Sequence, residues 1–369
     1  MSKKASLIQI LVFLAFLGLF CVLHFALPDR SLSGRESLQT APRFTFSALF
    51  SGRLSRQLED YVSDQFPFRD RWVTLKAGAE LASGREENNG IFLCENETLI
   101  EPFTAPEPGT LDRKLDALNA LAEDVEVPVY FALIPGASEL WGGLLPEGAP
   151  NAGQREIIDY CYDYADAGTV DMVSALAAHA GEPVYYRTDH HWTTLGAYYG
   201  YTALAEAMGF APVPLSAYRE QVVTEEFYGT AWSSSGFSWV APDRISTYVE
   251  PGDAIVFTYP AGSPEPGIVY DEGWLSQTDK YSYFFGGNTP LLKIRTGNSG
   301  PKLLVLRDSY LDSLCPYLFP HFSEIAVLDL RYYKSSLKEF MNAEGFDEIL
   351  VCYSVKNFVE DTNLFLLSR

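Results

Sequence analysis

The sequence predicts a mixed α/β fold behind one N-terminal membrane-spanning helix. Three observations carry this. Apolar, β-branched runs alternate with amphipathic helical segments between residues 110 and 208; the same rhythm returns between 302 and 353; and a long apolar stretch, Leu7–Leu27, stands apart from both. Strands buried on both faces read as continuous apolar runs, whereas half-exposed helices repeat their apolar residues every three or four positions. A chain of 369 residues suffices for one large domain or two ordinary ones.

The apolar stretch is interrupted only by Gln9 and His24 and follows Lys3 and Lys4. Its 21 residues match the ~30 Å hydrocarbon core of a bilayer. A cleaved signal peptide has a shorter apolar region ending in small residues. Here the best small residue, Ala26, has His24 two positions before it, and Cys21 follows Leu-Phe, which does not fit a lipoprotein site. The expectation is an uncleaved anchor over residues 1–28, with the body outside the cytoplasm. Arg30 and Arg35 reduce the charge bias that sets orientation. Residues 29–50 read as a polar stalk, and the globular body is expected over 51–369.

Within the body, Arg53–Leu81 reads as helix, broken at Phe66-Pro67-Phe68-Arg69-Asp70, where proline sets a turn and Arg69 is placed to pair with Asp70 or Asp64. Gly90–Leu93 and Thr98–Ile100 read as strands around a turn. Thr110–Asp124 has Leu111, Leu115, Leu118 and Leu121 on one helical face, and Val127–Ile134 ends at Pro135-Gly136 as a buried strand does. Gln154–Asp166 and Asp171–Ala180 read as helices, Pro183–Arg187 as a short strand, and Thr193–Met208 as a helix capped by Thr193 or Thr194. Residues 209–300, rich in Tyr, Ser, Gly, Pro and Thr, read as a β-rich insertion packed on the main sheet. The alternation then resumes: strand Lys302–Leu306, a helix after Ser309, strand Glu324–Leu330, helix Ser335–Asn342 and strand Asp347–Tyr353. No internal repeat is visible.

A net charge of −21 excludes the basic footprint that nucleic acid requires and disfavours wide contact with anionic surfaces. The five cysteines (21, 94, 161, 315 and 352) show neither C-x-x-C pairing nor zinc spacing. Four of them in the exported body permit disulfides, and buried free thiols are the plainer reading.

The segment with the densest chemistry is Asp189-His190-His191-Trp192, which contains two of only five histidines. Histidine exchanges protons near neutral pH, and a neighbouring carboxylate fixes its tautomer. The expected position, just past a strand and just before a helix, is the sheet edge where open α/β folds bind ligands. Ser309, in Leu-Arg-Asp-Ser-Tyr, also follows a strand and enters a helix, so backbone N–H groups there can stabilise an oxyanion. Alone, such a serine is equally a helix cap. Alone, a histidine is more often a hydrogen-bonded core residue. Two adjacent histidines beside an acid favour chemistry. The rival chemistry is a metal held by Asp189, His190 and His191, although His179 and His321 add no ligand spacing.

The run Tyr186–Tyr198 resembles the signature of the DHHW family of exported Gram-positive proteins, itself similar to SGNH-type O-acetylation proteins of alginate and other exopolysaccharides. Asp60–Trp72, Gly90–Ile100, Val129–Pro135, Tyr281–Asn288, Leu306–Tyr310 and Val327–Tyr333 resemble further blocks of the same pattern. The resemblance implies an SGNH-hydrolase-like three-layer α/β/α domain with a mostly parallel sheet. It implies Ser309 as nucleophile, His191 as general base and Asp189 as the residue orienting it, without a cofactor. His190 fills a variable position and lines the cleft. Asn288 is a side-chain donor to the oxyanion or, equally, a left-handed turn residue after Gly286-Gly287. Arg307 replaces the glycine of many SGNH proteins and binds an acidic partner or shapes the cleft. Trp192, Tyr198, Tyr199, Tyr281 and Tyr283 are candidates for a sugar platform, of which one or two would serve and the rest would be core. The implied reaction is acetyl transfer to or from a surface polysaccharide, with a membrane-bound acyltransferase as partner. A non-catalytic polysaccharide-binding scaffold and a metal-dependent hydrolase are the alternatives.

Overall fold

The computed structural model describes residues 3–30, 32–33 and 36–368. Arg35, on the far flank of the apolar stretch, lies outside them. The chain forms two compact units: Met1–Asn89 with Ser233–Trp239, and Gly90–Trp232 with Val240–Arg369.

In the first unit, α1 (Lys3–Ala26) is apolar on every side, and its stretch Lys4–Ala26 is long and apolar enough to cross a membrane. Helix α2 (Phe46–Phe50) is capped by Thr45, whose hydroxyl accepts from Ala48 N at 3.1 Å. Helices α3 (Arg53–Asp64) and α4 (Arg69–Ala82) are separated at the expected break. Pro67 disfavours a helical Phe66, and Phe68 takes a left-handed φ of 61° before α4 starts. Beyond α1, Arg30 and Gln39 are held by side chains of α4 and of the turn before it. Gln65 Nε2 donates to the carbonyls of Arg30 (2.8 Å) and Gln39 (2.9 Å), and Arg30 pairs with Asp70 at 2.6 Å.

The second unit opens with an antiparallel hairpin, β1 (Ile91–Cys94) and β2 (Thr98–Ile100). Helix α5 (Asp112–Asp124) buries Leu115, Leu118 and Leu121 and leads to β3 (Val129–Ile134). Then come α6 (Gln154–Tyr164), β4 (Gly168–Val170), α7 (Met172–Ala177) and α8 (Thr194–Met208). Next follow β5 (Gln221–Phe227), β6 (Asp243–Thr247), β7 (Ile255–Thr258), β8 (Glu265–Pro266) and β9 (Leu291–Arg295). The chain ends with β10 (Lys302–Arg307), α9 (Leu311–Leu318), β11 (Glu324–Leu328), α10 (Leu337–Glu344), β12 (Glu348–Ser354) and α11 (Val355–Glu360).

The eight-stranded sheet has the order β8-β7-β9-β11-β10-β12-β3-β4. Five strands, β11 through β4, run parallel, with Leu304 opposite Ala326 on one side and Ile349 on the other. Successive residues point to opposite faces, so one apolar run feeds two cores. Leu303, Val305, Val327, Leu350 and Cys352 pack with α7, α8 and α9; Leu304, Leu306, Leu328, Val351 and Leu133 pack with α5, α6 and α11. Burying both faces is why these strands lack polar alternation.

Two expectations need correction. Residues 209–300 do not form one insertion packed on the sheet: β7, β8 and β9 extend the sheet itself, antiparallel beyond β11, while β5 and β6 pair separately. Pro183–Arg187 is not a strand of the sheet. Tyr185 bridges Trp192 instead, with Tyr186 N donating to His191 O and Thr193 N to Val184 O. Residues 184–193 thus close on themselves, and the segment bearing Asp189 and His190 forms the tip. Cys21, Cys161, Cys315 and Cys352 are free thiols, the last three of them buried.

Helix α8 lies directly against this loop. Thr193 caps it, accepting from Gly196 N at 3.1 Å. A Cβ on Gly196 would lie 2.1 Å from Val184 O, and one on Gly200 would lie 2.7 Å from the Trp192 ring. Glycines four apart place both approaches on one helix face. Gly196→Ala is therefore expected to lower the stability measured by chemical denaturation by ~1–3 kcal/mol or more, since a backbone carbonyl must move. An unchanged denaturation midpoint would show the contact to be looser.

Candidate active site

Strand β10 delivers Arg307, Asp308 and Ser309 to the carboxyl edge of the parallel strands, and α9 begins two residues later. The turn is fixed by Asp308. Its Oδ1 accepts from Tyr310 N at 3.0 Å; its Oδ2 accepts from Ser354 N (2.8 Å), Ser354 Oγ (2.6 Å) and Asn357 Nδ2 (2.8 Å). Ser354 also caps α11, so one buried carboxylate joins the ends of adjacent strands to a helix start. Ser309 itself is half-buried.

The loop 184–193 brings its own groups to the same edge. His191 Nε2 lies 2.8 Å from Ser309 Oγ, and His191 Nδ1 lies 2.6 Å from Asp189 Oδ1. Asp189 Oδ1 also accepts from His191 N at 3.0 Å. Its other oxygen accepts from Thr230 N (2.8 Å) and Thr230 Oγ1 (3.2 Å). Gly229 permits this, because a Cβ there would lie 2.2 Å from Asp189 Cβ. Asp189 and His191 are nearly inaccessible to solvent. With Nδ1 donating to Asp189, Nε2 is free to accept the serine proton, the arrangement needed for an imidazole base.

The remaining expected site residues divide. His190 is partly exposed, its Nδ1 2.6 Å from Thr230 Oγ1, and its ring lies 3.9 Å from that of His191. Tyr281 is core: its ring stacks on His191 at 3.8 Å and 9°, and its hydroxyl donates to Ser309 O (3.3 Å) and Ser313 Oγ (3.2 Å). Trp192 is wholly buried, donating from Nε1 to Tyr310 O at 2.9 Å. Tyr198, Tyr199 and Tyr283 are also buried, so the expected sugar platform is not formed by these rings. Burial pushes the hydroxyls of Tyr281 and Tyr310 well above the usual range, keeping both neutral.

Arg307 does not reach the cleft. It is fully buried, 3.1 Å from Asp312 and 3.9 Å from Asp329, and its Nη1 donates to Asn288 Oδ1 at 3.2 Å. These two acidic side chains enclose the buried guanidinium. Asn288 is exposed, and the left-handed φ values fall on Phe285, Gly286 and Gly287 rather than on Asn288. Its carbonyl faces Arg307, which leaves the amide N–H₂ to point away from the guanidinium. Asp189, His190 and His191 also offer ligand atoms within 4.8 Å of one another, which is compact enough for a metal ion.

Sequence reasoning missed Thr230, Gly229, Asp312, Asp329, Ser354 and Asn357. Asp329 lies within the block Val327–Tyr333 but drew no role there, Asp312 meets Arg307 five positions away, and the others act through contacts distant in the chain.

Fold and site together define an α/β protein with an aspartate–histidine–serine hydrogen-bond chain at the carboxyl edge of its parallel strands. The family model described as "DHHW protein" matches residues 126–328, more than half the chain. The chain belongs to the DHHW family. A crystal structure of a DHHW family protein from Eubacterium siraeum is similar at 26% identity and a TM-score of 0.66, covering 76% of this chain and 95% of that one. The structure of Bacillus cereus PatB1 shares the fold at 18% identity and a TM-score of 0.63, covering 74% and 98%. In sequence, the "Probable alginate O-acetylase AlgJ" of Azotobacter vinelandii is 25% identical over 195 residues, 50% of each chain. The chain spans about half the length of the curated relatives it matches.

Burial, with Asp329 and Asp308 nearby, raises Asp312 to about 7 against the opposing pull of Arg307. A carboxyl raised above its unfolded value holds a proton in the native state that the unfolded state has lost. Its stabilisation is present at low pH and is lost as pH rises. The stability of the wild type relative to Asp312→Asn is therefore expected to fall from about pH 4 to about pH 7 and then level off. Denaturant titrations across that range read it directly; a difference that rises with pH would show Asp312 to be ionised and held by Arg307.

Proposed function

We propose that the chain is an extracytoplasmic acetyl-transfer enzyme of the SGNH type, working on a hydroxyl of a surface or secreted polysaccharide. The observation that carries this reading is the hydrogen-bond chain Asp189–His191–Ser309, with contacts of 2.6 and 2.8 Å. As Ser309 Oγ attacks the acyl carbon, His191 Nε2 takes its proton. The bond from that carbon to the leaving oxygen breaks, and His191 returns the proton to that oxygen. In the second half, a sugar hydroxyl or water gives its proton to His191 and attacks the acyl-serine, and Ser309 recovers its proton. Asp189 keeps the Nδ1–H tautomer and stabilises the imidazolium. The Ser309 backbone N–H and the Asn288 amide, oriented by Arg307, are the proposed oxyanion donors. His190 lines the approach.

The acetyl group and the polysaccharide are supported by the AlgJ relatives, named as probable alginate O-acetylases. The apolar helix supports a single-pass anchor over residues 1–28, with the three-layer catalytic domain outside the membrane. A membrane-bound acyltransferase that supplies acetyl groups is the partner this arrangement calls for.

The full chain in detergent is expected to hydrolyse a chromogenic acetyl ester. Ser309→Ala should lower kcat at least ~10³-fold, because a nucleophile and its base act as one unit. Equal turnover by the variant would remove Ser309 from the mechanism. His191→Ala is expected to match Ser309→Ala, with His190→Ala within ~10-fold of wild type, since only His191 faces the serine. The opposite order would make His190 the base.

The compact ligand atoms of Asp189, His190 and His191 favour one second reading, a metal-dependent hydrolase. Stoichiometric metal in the purified protein, with activity lost to chelators and restored by the ion, would establish it over the serine mechanism.

A further inference from the structure

The turn Phe66-Pro67-Phe68-Arg69-Asp70-Arg71-Trp72 plays no part in the chemistry above. It joins α3 to α4 and lies alongside α1 within the first compact unit. The Phe66 ring stacks on Phe20 of α1 at 5.2 Å and 2°, and the Trp72 ring lies 5.8 Å from the same ring. Four residues later in α1, His24 meets Tyr61 edge-on at 5.3 Å. Helix α3 therefore descends along α1, with the turn at its deeper end.

Depth follows from helix geometry. Phe20 lies six residues before the end of α1, or about 9 Å down its axis. A 23-residue span reaches roughly 34 Å against a hydrocarbon core of about 30 Å, so Phe20 lies below the headgroups when α1 crosses the bilayer. Rings stacked on Phe20 share that level. The surface they present is suited to it: Phe68 and Trp72 are 47% and 39% exposed, and Leu75 is 61% exposed. The Arg71 guanidinium lies 5.6 Å over the Phe68 ring. Exposed aromatics beside arginines match the composition of membrane interfaces.

Charge points the same way. Residues 1–89 carry eleven Lys and Arg against nine Asp and Glu, so the whole negative excess, −23, belongs to residues 90–369. The acidity of the chain is no barrier to lipid contact by the first unit.

We propose that Phe66–Trp72 is a wedge seated in the outer membrane interface beside α1, its occupant being lipid headgroups and upper acyl chains. This rests on α1 being a retained span, as proposed above, and is independent of the serine mechanism. The wedge fixes the depth and tilt at which α1 holds the first unit, which a single helix with a free stalk does not.

The test is the full chain reconstituted in phosphatidylcholine vesicles with brominated acyl chains, which quench indole on contact. Trp72→Phe is expected to remove the bromolipid-sensitive part of the tryptophan emission, whereas Trp239→Phe, the other exposed tryptophan of this unit, retains it. In the wild type, bromines near the carbonyl end should quench more than bromines at the chain terminus, a reading that needs no variant to fold. Protein that floats with the vesicles while Trp72→Phe leaves the quenching unchanged would overturn the wedge and keep the span. Protein that fails to float would overturn both.

Discussion

The site depends on a pair of hydrogen bonds exchanged between the His190–Trp192 segment and the turn after β10. The buried Trp192 indole donates to Tyr310 O at 2.9 Å, and the Tyr310 hydroxyl donates back to His190 O. Trp192 and Tyr310 each neighbour a member of the Asp189–His191–Ser309 chain, so the two bonds clamp segments 118 and 120 residues apart in sequence. Leaving either buried donor unpaired would cost more than the bond itself contributes, which makes the clamp hard to open. The glycines of α8 serve the same end: Gly200 gives the indole ring room, and Gly196 lets the helix press on the strand side of the loop.

Below this clamp lies a second one. Asp308 gathers four donors from Tyr310, Ser354 and Asn357, while Arg307, one residue earlier, is enclosed by Asp312 and Asp329. Alternation along β10 sends these neighbouring side chains to opposite faces of the sheet. The serine therefore follows two anchored residues, and its position owes little to the flexible end of a loop.

What the sequence made legible, and what it hid, follows from the range of the forces involved. Lys302–Arg307 and Val129–Ile134 announced themselves because strands buried on both faces must be apolar throughout. Asp189, His191 and Ser309 stood out because they are uncommon residue types in distinctive company, and the fold brings them into one hydrogen-bond chain. Strand β4 was missed because Gly168 and Thr169 are exposed and carry no apolar signal. The antiparallel strands β7, β8 and β9 looked like an insertion because their turn-rich composition says nothing about which neighbour they pair with. Thr230 and Ser354 are ordinary residue types, given their roles by partners 41 and 46 positions away. Arg307 misled for a related reason: a sequence displays a long cation but not the two carboxylates enclosing it. Net charge hides its distribution in the same way, since −21 is the sum of one nearly neutral unit and one strongly acidic unit.

Tyr281 lies flat against one face of the His191 ring, Tyr310 approaches at a tilt, and Asp189 holds the far nitrogen. An imidazole held this way cannot swing between two binding positions. Under the serine mechanism proposed above, every group that gives or takes a proton would come to the same nitrogen, so acyl donor and acceptor would visit in turn rather than together. The acyl-serine of that proposal, served by one fixed imidazole, would give double-displacement kinetics, with the first product gone before the second reactant enters.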